Sequence, residues 1–262
     1  MIVDFHTHFL ADTRQISEHI AAAEFTDKSV VLAGPAPAGD DINDKLAQYV
    51  AGHKERMLGF AYIDPIGEQY SLKKLRSLIE KSGLCGAVLY CAQSGFHPAH
   101  SKVMRFYEAA EELGLPVFFH NGPVLGPDSH LEYAQPILID GIAKQFKNLK
   151  IIIGDIGEPF IEQTFAVLEK NENVYADFTI NPDKTWQTYN AVIAAFENKL
   201  FNKLLFGSGF PLARAERCIE VLLGFNKLMT EANLPTVPRA MIRDFLERDT
   251  LSILGIKQST EK

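Results

Sequence analysis

Asp4, His6 and His8 alternate along the apolar opening run MIVDFHTH, a spacing that a metal ion can use. In an extended chain, residues two apart point to the same side, so the two imidazoles are expected to converge, with Asp4 one step deeper. Imidazole is the commonest protein ligand for zinc-like ions, yet two ligands do not make a site, and a hydrogen-bonded pair of core histidines would read the same way. A third histidine, His120, ends another apolar run, PVFFHNG. Three neutral imidazoles with an open position match the ligand count of a catalytic zinc centre, which polarises carbonyls and lowers the pKa of bound water.

Such a constellation needs a scaffold that brings strand ends together. Short β-rich runs occupy 1–8, 29–34, 57–64, 85–91, 116–122, 150–157, 174–180 and 203–209. Between them lie segments with apolar residues at helical spacing, such as DDINDKLAQYVAGHKER, SLKKLRSLIEKSG, KVMRFYEAAEELG and AERCIEVLLGFNKLM. No two strands are joined by a tight turn, which favours parallel βα units. Eight strands, each followed by a helix, are the arithmetic of a distorted (β/α)8 TIM barrel, with an open doubly wound sheet as the alternative. The stretch VPRAMIRDFLERDTLSILG adds an extra C-terminal helix. One domain is expected over 1–256, followed by a frayed tail at 257–262. In a barrel the active site sits at the C-terminal ends of the strands, where His6, His8 and His120 all fall.

Composition narrows the partners. A chain of 262 residues with 47% hydrophobic and 23% charged residues is an ordinary globular protein. Its net charge of −7 and pI near 5.6 argue against general nucleic-acid or membrane-surface binding. No run reaches the roughly 18 apolar residues of a membrane span. Cys85, Cys91 and Cys218 are scattered and odd in number, so the expectation is a reducing, cytoplasmic setting without a disulfide framework. No P-loop or dinucleotide fingerprint is present, so no nucleotide cofactor is indicated. A small-molecule substrate is expected, and a homo-oligomer is compatible with the sequence without being specified by it.

DFHTH, GLPVFFHNG and KLLFGSGFP together resemble the amidohydrolase superfamily, in its amidohydrolase-related branch of hydrolases, lactonases, decarboxylases and hydratases. GFHP, EAAEELGLPV, NLKIIIGDIGEP and VYADFT extend the similarity over nearly the whole chain. The resemblance implies a distorted (β/α)8 barrel with one divalent metal ion, commonly zinc, held by His6, His8 and His120. It also exposes two departures. Strand six in that family usually ends in histidine, where this chain has Asp155; the familiar FGSD at strand eight is here FGSG, with Gly209 replacing the aspartate. Glycine can neither ligate a metal nor accept a proton, so the usual hydrolytic base is missing. Its absence is expected to leave the pocket enlarged beside strand eight.

Asp155 is the candidate compensation, as a fourth ligand or general base, against an ordinary role capping the helix that follows it. Asp177 is expected to orient a histidine from behind, with Asp4 in similar support, against a merely structural buried carboxylate. His97 and Arg214 are candidate substrate contacts, Arg214 through a bidentate grip on a carboxylate, although solvated loop and helix-start residues look the same. His100 and His130 resemble His97, while His19 and His53 read as helical surface residues. The expected function is a metal-dependent hydrolase of a small organic ester, lactone or amide. The alternatives are a decarboxylase or hydratase on the same apparatus, or a binding protein that has lost the strand-eight aspartate.

Overall fold

The computed structural model describes residues 1–9, 13–37, 39–121, 126–231 and 233–257. Eight short strands form at the expected runs, β2 starting one residue earlier than expected: β1 (Val3–His8), β2 (Lys28–Leu32), β3 (Met57–Tyr62), β4 (Gly86–Leu89), β5 (Val117–Phe119), β6 (Ile151–Ile153), β7 (Val174–Thr179) and β8 (Leu204–Gly207). Each is followed by a helix: α1 (Thr13–Ala22), α2 (Ile42–Gly52), α3 (Leu72–Ser82), α4 (Ser101–Leu113), α5 (Ile139–Gln145), α6 (Ile161–Lys170), α7 (Thr185–Glu197) and α8 (Ala215–Glu231). The strands pair in parallel in strict chain order from β1 to β8. That order excludes the doubly wound sheet, whose strand order reverses at a switch point. Backbone bonds from Gly209 N to His6 O (2.8 Å) and from His8 N to Phe210 O (2.9 Å) bring the end of β8 back to β1. The architecture is a distorted (β/α)8 barrel.

Strands buried on both faces explain the near-continuous apolar runs. One set of side chains, including Val30, Leu32, Phe60, Val88, Phe118, Ile152 and Leu205, fills the barrel interior. The alternate set, including Val31, Ala87, Val117, Ile151 and Leu204, packs with helix residues such as Leu46, Leu75, Phe106 and Cys218. The interior is therefore a packed core beneath a polar mouth.

The single extra C-terminal helix expected from the sequence is two, α9 (Arg239–Glu247) and α10 (Thr250–Ile253). The break has a local cause. Arg248 is extended, with its guanidinium turned to the carbonyls of Phe201 and Leu204. Asp249 then starts a new helix by accepting a hydrogen bond from Ser252 N at 3.1 Å. Leu251, Leu254 and Ile256 join the interior cluster with Val3 and Leu205, closing the barrel at the end opposite the histidines. Of the tail expected at 257–262, only Lys257 falls within the described residues. No helix among the described residues is long and apolar enough to cross a membrane.

Candidate metal centre

The histidines converge because β1 breaks its own alternation. Its ladder to β2 slips between Asp4 and Thr7. Phe5 packs edge-on against Phe60 inside the barrel, and the next residue, His6, also faces inward, its ring 5.2 Å from that of Phe118. An irregularity of this kind re-aims side chains next to a site. It corrects the expectation that Asp4, His6 and His8 simply share one face. Asp4 turns instead to β8: its Oδ1 accepts from Ser208 N at 2.9 Å, and its Oδ2 accepts from Ser208 Oγ at 2.6 Å. Asp4 Oδ1 also accepts from His6 N at 3.2 Å. Asp4 thus clamps the barrel seam directly beneath the histidines.

Above that seam, His8 Nε2 lies 3.0 Å from His6 Nε2 and 3.3 Å from His120 Nε2. Two nitrogens bound to one tetrahedral ion at the usual Zn–N length sit about 3.3 Å apart, so the donor set fits a single ion. Burial holds the pKa of His8 down at about 3, with His6 and His19 adding to the effect. His120 is likewise held well below the ordinary value by burial and by His8 and His6. Both therefore present neutral imidazoles, the form a metal requires. The cluster is walled by Phe118 and by Tyr90, whose ring lies 4.6 Å from that of His120 and whose hydroxyl donates to Ala33 O at 2.9 Å.

His6 is the hinge between this trio and a carboxylate group behind it. Its Nδ1 lies 2.6 Å from Asp177 Oδ2 and 3.8 Å from Asp155 Oδ1. Burial opposes a charge on His6, but Asp177, Asp155 and Asp4 outweigh it and raise its pKa to about 9. Asp177 Oδ2 also accepts from Asp155 N at 3.1 Å and Thr179 Oγ1 at 2.8 Å. With three donors on that one oxygen, Asp177 acts as a hydrogen-bond acceptor behind a ligand histidine, the arrangement that fixes tautomer and ring direction. Asp155 groups within ligand range with His6 and Asp177, apart from His8 and His120.

Asp155 owes its position to a strained turn. The chain leaves β6 with Asp155, Ile156 and Gly157 at φ of 49°, 50° and 73°. Left-handed backbone is rare for a β-branched residue such as Ile156 and clusters at functional sites. Asp155 does not cap α6, whose N-terminal residue Phe160 offers no capping side chain. Burial, supported by Asp177 and Glu158, pushes the Asp155 carboxyl up to about 7 against the pull of His6 and Thr179. Asp155 Oδ2 and Asp177 Oδ1 are buried without a hydrogen-bond partner among the described residues.

The enlarged pocket expected beside Gly209 is not what that glycine provides. Gly209 adopts φ 66°, and a Cβ there would lie 2.8 Å from Thr179 Cγ2. Two residues earlier, a Cβ on Gly207 would run into Asp177 Oδ1 and lie 2.9 Å from His6 Cβ. Both glycines let β7 side chains approach the histidines. Thr179, Gly207 and Ser208 were not singled out in the sequence; Thr179 stands two residues beyond Asp177, a spacing that puts both on one face of β7.

The remaining candidates do not join the trio. His97 is exposed, its Nδ1 accepting from Ala99 N at 3.0 Å and its ring set edge-on to Tyr133. His100 caps α4 by accepting from Lys102 N, and His130 stacks on Tyr133. Arg214 is exposed just ahead of α8, on a loop of the mouth. His53 is half-buried. His19 is only 3% exposed, stacked on Phe210 with its Nδ1 3.1 Å from the Tyr49 hydroxyl, which corrects its reading as a surface residue.

A family model described as amidohydrolase matches residues 3–247. The 2-amino-3-carboxymuconate-6-semialdehyde decarboxylase of Dictyostelium discoideum is 25% identical over 158 residues, 54% of this chain, and the match spans 44% of that relative's length. Among solved structures, 2,6-dihydroxybenzoate decarboxylase from Rhizobium superposes with a TM-score of 0.69 at 15% identity, covering 97% of this chain and 98% of the other. A probable 2-pyrone-4,6-dicarboxylic acid hydrolase from Acinetobacter baumannii, solved with citric acid bound, gives 0.67 at 14% identity, covering 97% and 99%. At these identities the two structures show a shared fold.

Proposed function

The chain belongs to the amidohydrolase family of metal-dependent enzymes, and from that premise we propose that it decarboxylates a small carboxylic acid at the His6, His8 and His120 centre. The observation that carries this reading is the exchange of carboxylates around the mouth: none at Gly209, and a buried Asp155 with one oxygen free. Hydrolysis in the usual manner needs a base at strand eight. Decarboxylation instead needs a proton for the carbon that CO2 leaves, and a carboxyl with raised proton affinity is suited to give one. The partial sequence similarity to the Dictyostelium decarboxylase supports the same choice.

The three Nε2 atoms would hold one divalent ion, for which we propose zinc on the strength of the all-nitrogen donor set. When bound, it supplies positive charge to an anionic substrate and its developing carbanion. Asp177 takes the hydrogen bond of His6 Nδ1, so that a metal ion displacing the second ring proton would find the His6 Nε2 atom directed at the cluster. Asp155 passes its proton to the substrate carbon as the bond to CO2 breaks, and recovers it from solvent. Arg214 and His97, exposed on loops of the mouth, are the proposed grips for a substrate carboxylate.

Hydrolysis of an ester, lactone or amide is the second reading, favoured by the same Asp155 acting in its ionised form as proton acceptor. One experiment separates the two. Zinc-loaded protein is offered a panel of small aromatic and unsaturated carboxylic acids, with CO2 release measured, beside a panel of esters, lactones and amides. CO2 release that is lost in Asp155→Asn and on chelation supports decarboxylation. Turnover confined to the second panel transfers the assignment to hydrolysis. Inertness across both panels, with metal bound, points to a binding protein.

A further inference from the structure

Thr179 ends β7 two residues beyond Asp177, and its hydroxyl is engaged on two sides. Oγ1 lies 2.8 Å from Asp177 Oδ2 and 2.9 Å from His6 Nδ1. The hydroxyl has one proton, and the carboxylate is acceptor only, so Thr179 donates to Asp177. Its lone pairs are then left facing His6 Nδ1. Two acceptors, Asp177 Oδ2 and Thr179 Oγ1, thus converge on that nitrogen, and both require it to carry the ring proton.

The side chain is also held mechanically. Its Cγ2 methyl occupies the space that any side chain at position 209 would need, with a Cβ there only 2.8 Å away. A β-branched residue has few χ1 choices, and seating the methyl against bare Gly209 leaves the hydroxyl aimed at the His6 and Asp177 pair.

We infer that Thr179 is a positioning residue of the metal centre, its hydroxyl locking His6 into the Nδ1-protonated tautomer while its methyl occupies the place opened by Gly209. The inference rests on the metal-binding reading above. Position 209 then contributes to the centre through its lack of a side chain: the polar group supporting the histidines comes from β7, and β8 makes room for it.

The test compares Thr179→Val, which keeps the shape and removes the hydroxyl, with Thr179→Ser, which keeps the hydroxyl and removes the methyl. Zinc dissociation constants are measured by chelator competition, and the visible spectrum of the cobalt-substituted protein reports ligand geometry. Thr179→Val is expected to weaken zinc binding roughly 10–100-fold, the usual effect of removing a group behind a ligand histidine, and to shift the cobalt bands. Thr179→Ser is expected to stay close to the parent, with an unchanged spectrum. Should Thr179→Val fail to fold, as judged by metal-free thermal denaturation, Thr179→Ala is compared with Thr179→Ser in its place. Parent-like affinity and spectrum in the hydroxyl-free variant overturn the inference and leave the metal reading standing. Equal loss in both variants also overturns it, because packing alone would then account for the effect. A parent that takes up no metal defeats the metal reading and the inference with it.

Discussion

Thr179 and Gly209 fit one another as methyl and gap: a Cβ on Gly209 would stand 2.8 Å from Thr179 Cγ2, and Gly209 itself sits at φ 66°. Restoring the family's aspartate at this position therefore meets a clash and a backbone conformation that L-residues avoid. Gly209→Asp is expected to lose about 1–3 kcal/mol of stability from the backbone alone and to lower any native activity. Adding Thr179→Ser removes the opposing methyl, so the double variant should recover part of the loss in a denaturant titration. If Gly209→Asp is as stable as the parent and gains broad hydrolysis where the parent is inert, the protein is a degraded hydrolase.

The trio makes a direct prediction about metal. Protein purified without chelator, or reconstituted with zinc, should carry close to one ion per chain by elemental analysis. Replacing His6, His8 or His120 by alanine should remove most of it, because each supplies one of three converging nitrogens. A parent that cannot be loaded with zinc, manganese, iron or cobalt sinks the assignment.

Asp155 should be separable from metal binding. It groups with His6 Nδ1 and Asp177 instead of with His8 and His120, so Asp155→Asn is expected to retain the ion. Turnover should fall by about 10²–10⁴, the usual contribution of a positioned acid or base. Retained metal with unchanged turnover would falsify its catalytic role.

His19 should leave a mark on acid stability. Burial, with His53 adding to it, lowers its pKa from 6.5 to about 4, so the folded state holds it neutral. The stabilisation is complete above pH 6.5, where both states are neutral. It declines as pH falls from 6.5 toward 4, where the unfolded chain binds the extra proton, and reaches on the order of 3 kcal/mol lost. Asp4 and Asp155, with raised pKa values of about 6 and 7, work in the opposite sense across part of this range. The measurement is therefore the difference between parent and His19→Phe. The parent should lose stability relative to the variant on going from pH 7 to pH 4, and parallel curves would remove His19 as the cause.

Much of this molecule was legible in one dimension. Eight apolar runs separated by helical periodicity predict the barrel because each βα unit is a local pattern, and chain order alone then decides which strands are neighbours. His6, His8 and His120 were readable because they end strands, and in this architecture strand ends meet. Asp155 was readable from its strand-end place together with the family pattern, and Asp177 from that pattern.

The rest depended on departures from regular geometry. Strict alternation placed Asp4 beside the histidines, but the slip in β1 between Asp4 and Thr7 turned Asp4 to Ser208. Gly209 read as a missing carboxylate, because a sequence shows which side chain is absent without showing what occupies its space. His19 looked like a surface residue until Phe210 and Tyr49 covered it. The sequence by itself determined the barrel, the three histidines and the absence of an acid at strand eight, since these follow from residue type and strand phase. Tertiary structure alone decided that Thr179 occupies the place opened by Gly209, that His6 is the histidine Asp177 backs and that Asp155 keeps an oxygen free. Each of these is a contact between different strands or strand ends, set by interatomic distances that no local pattern encodes.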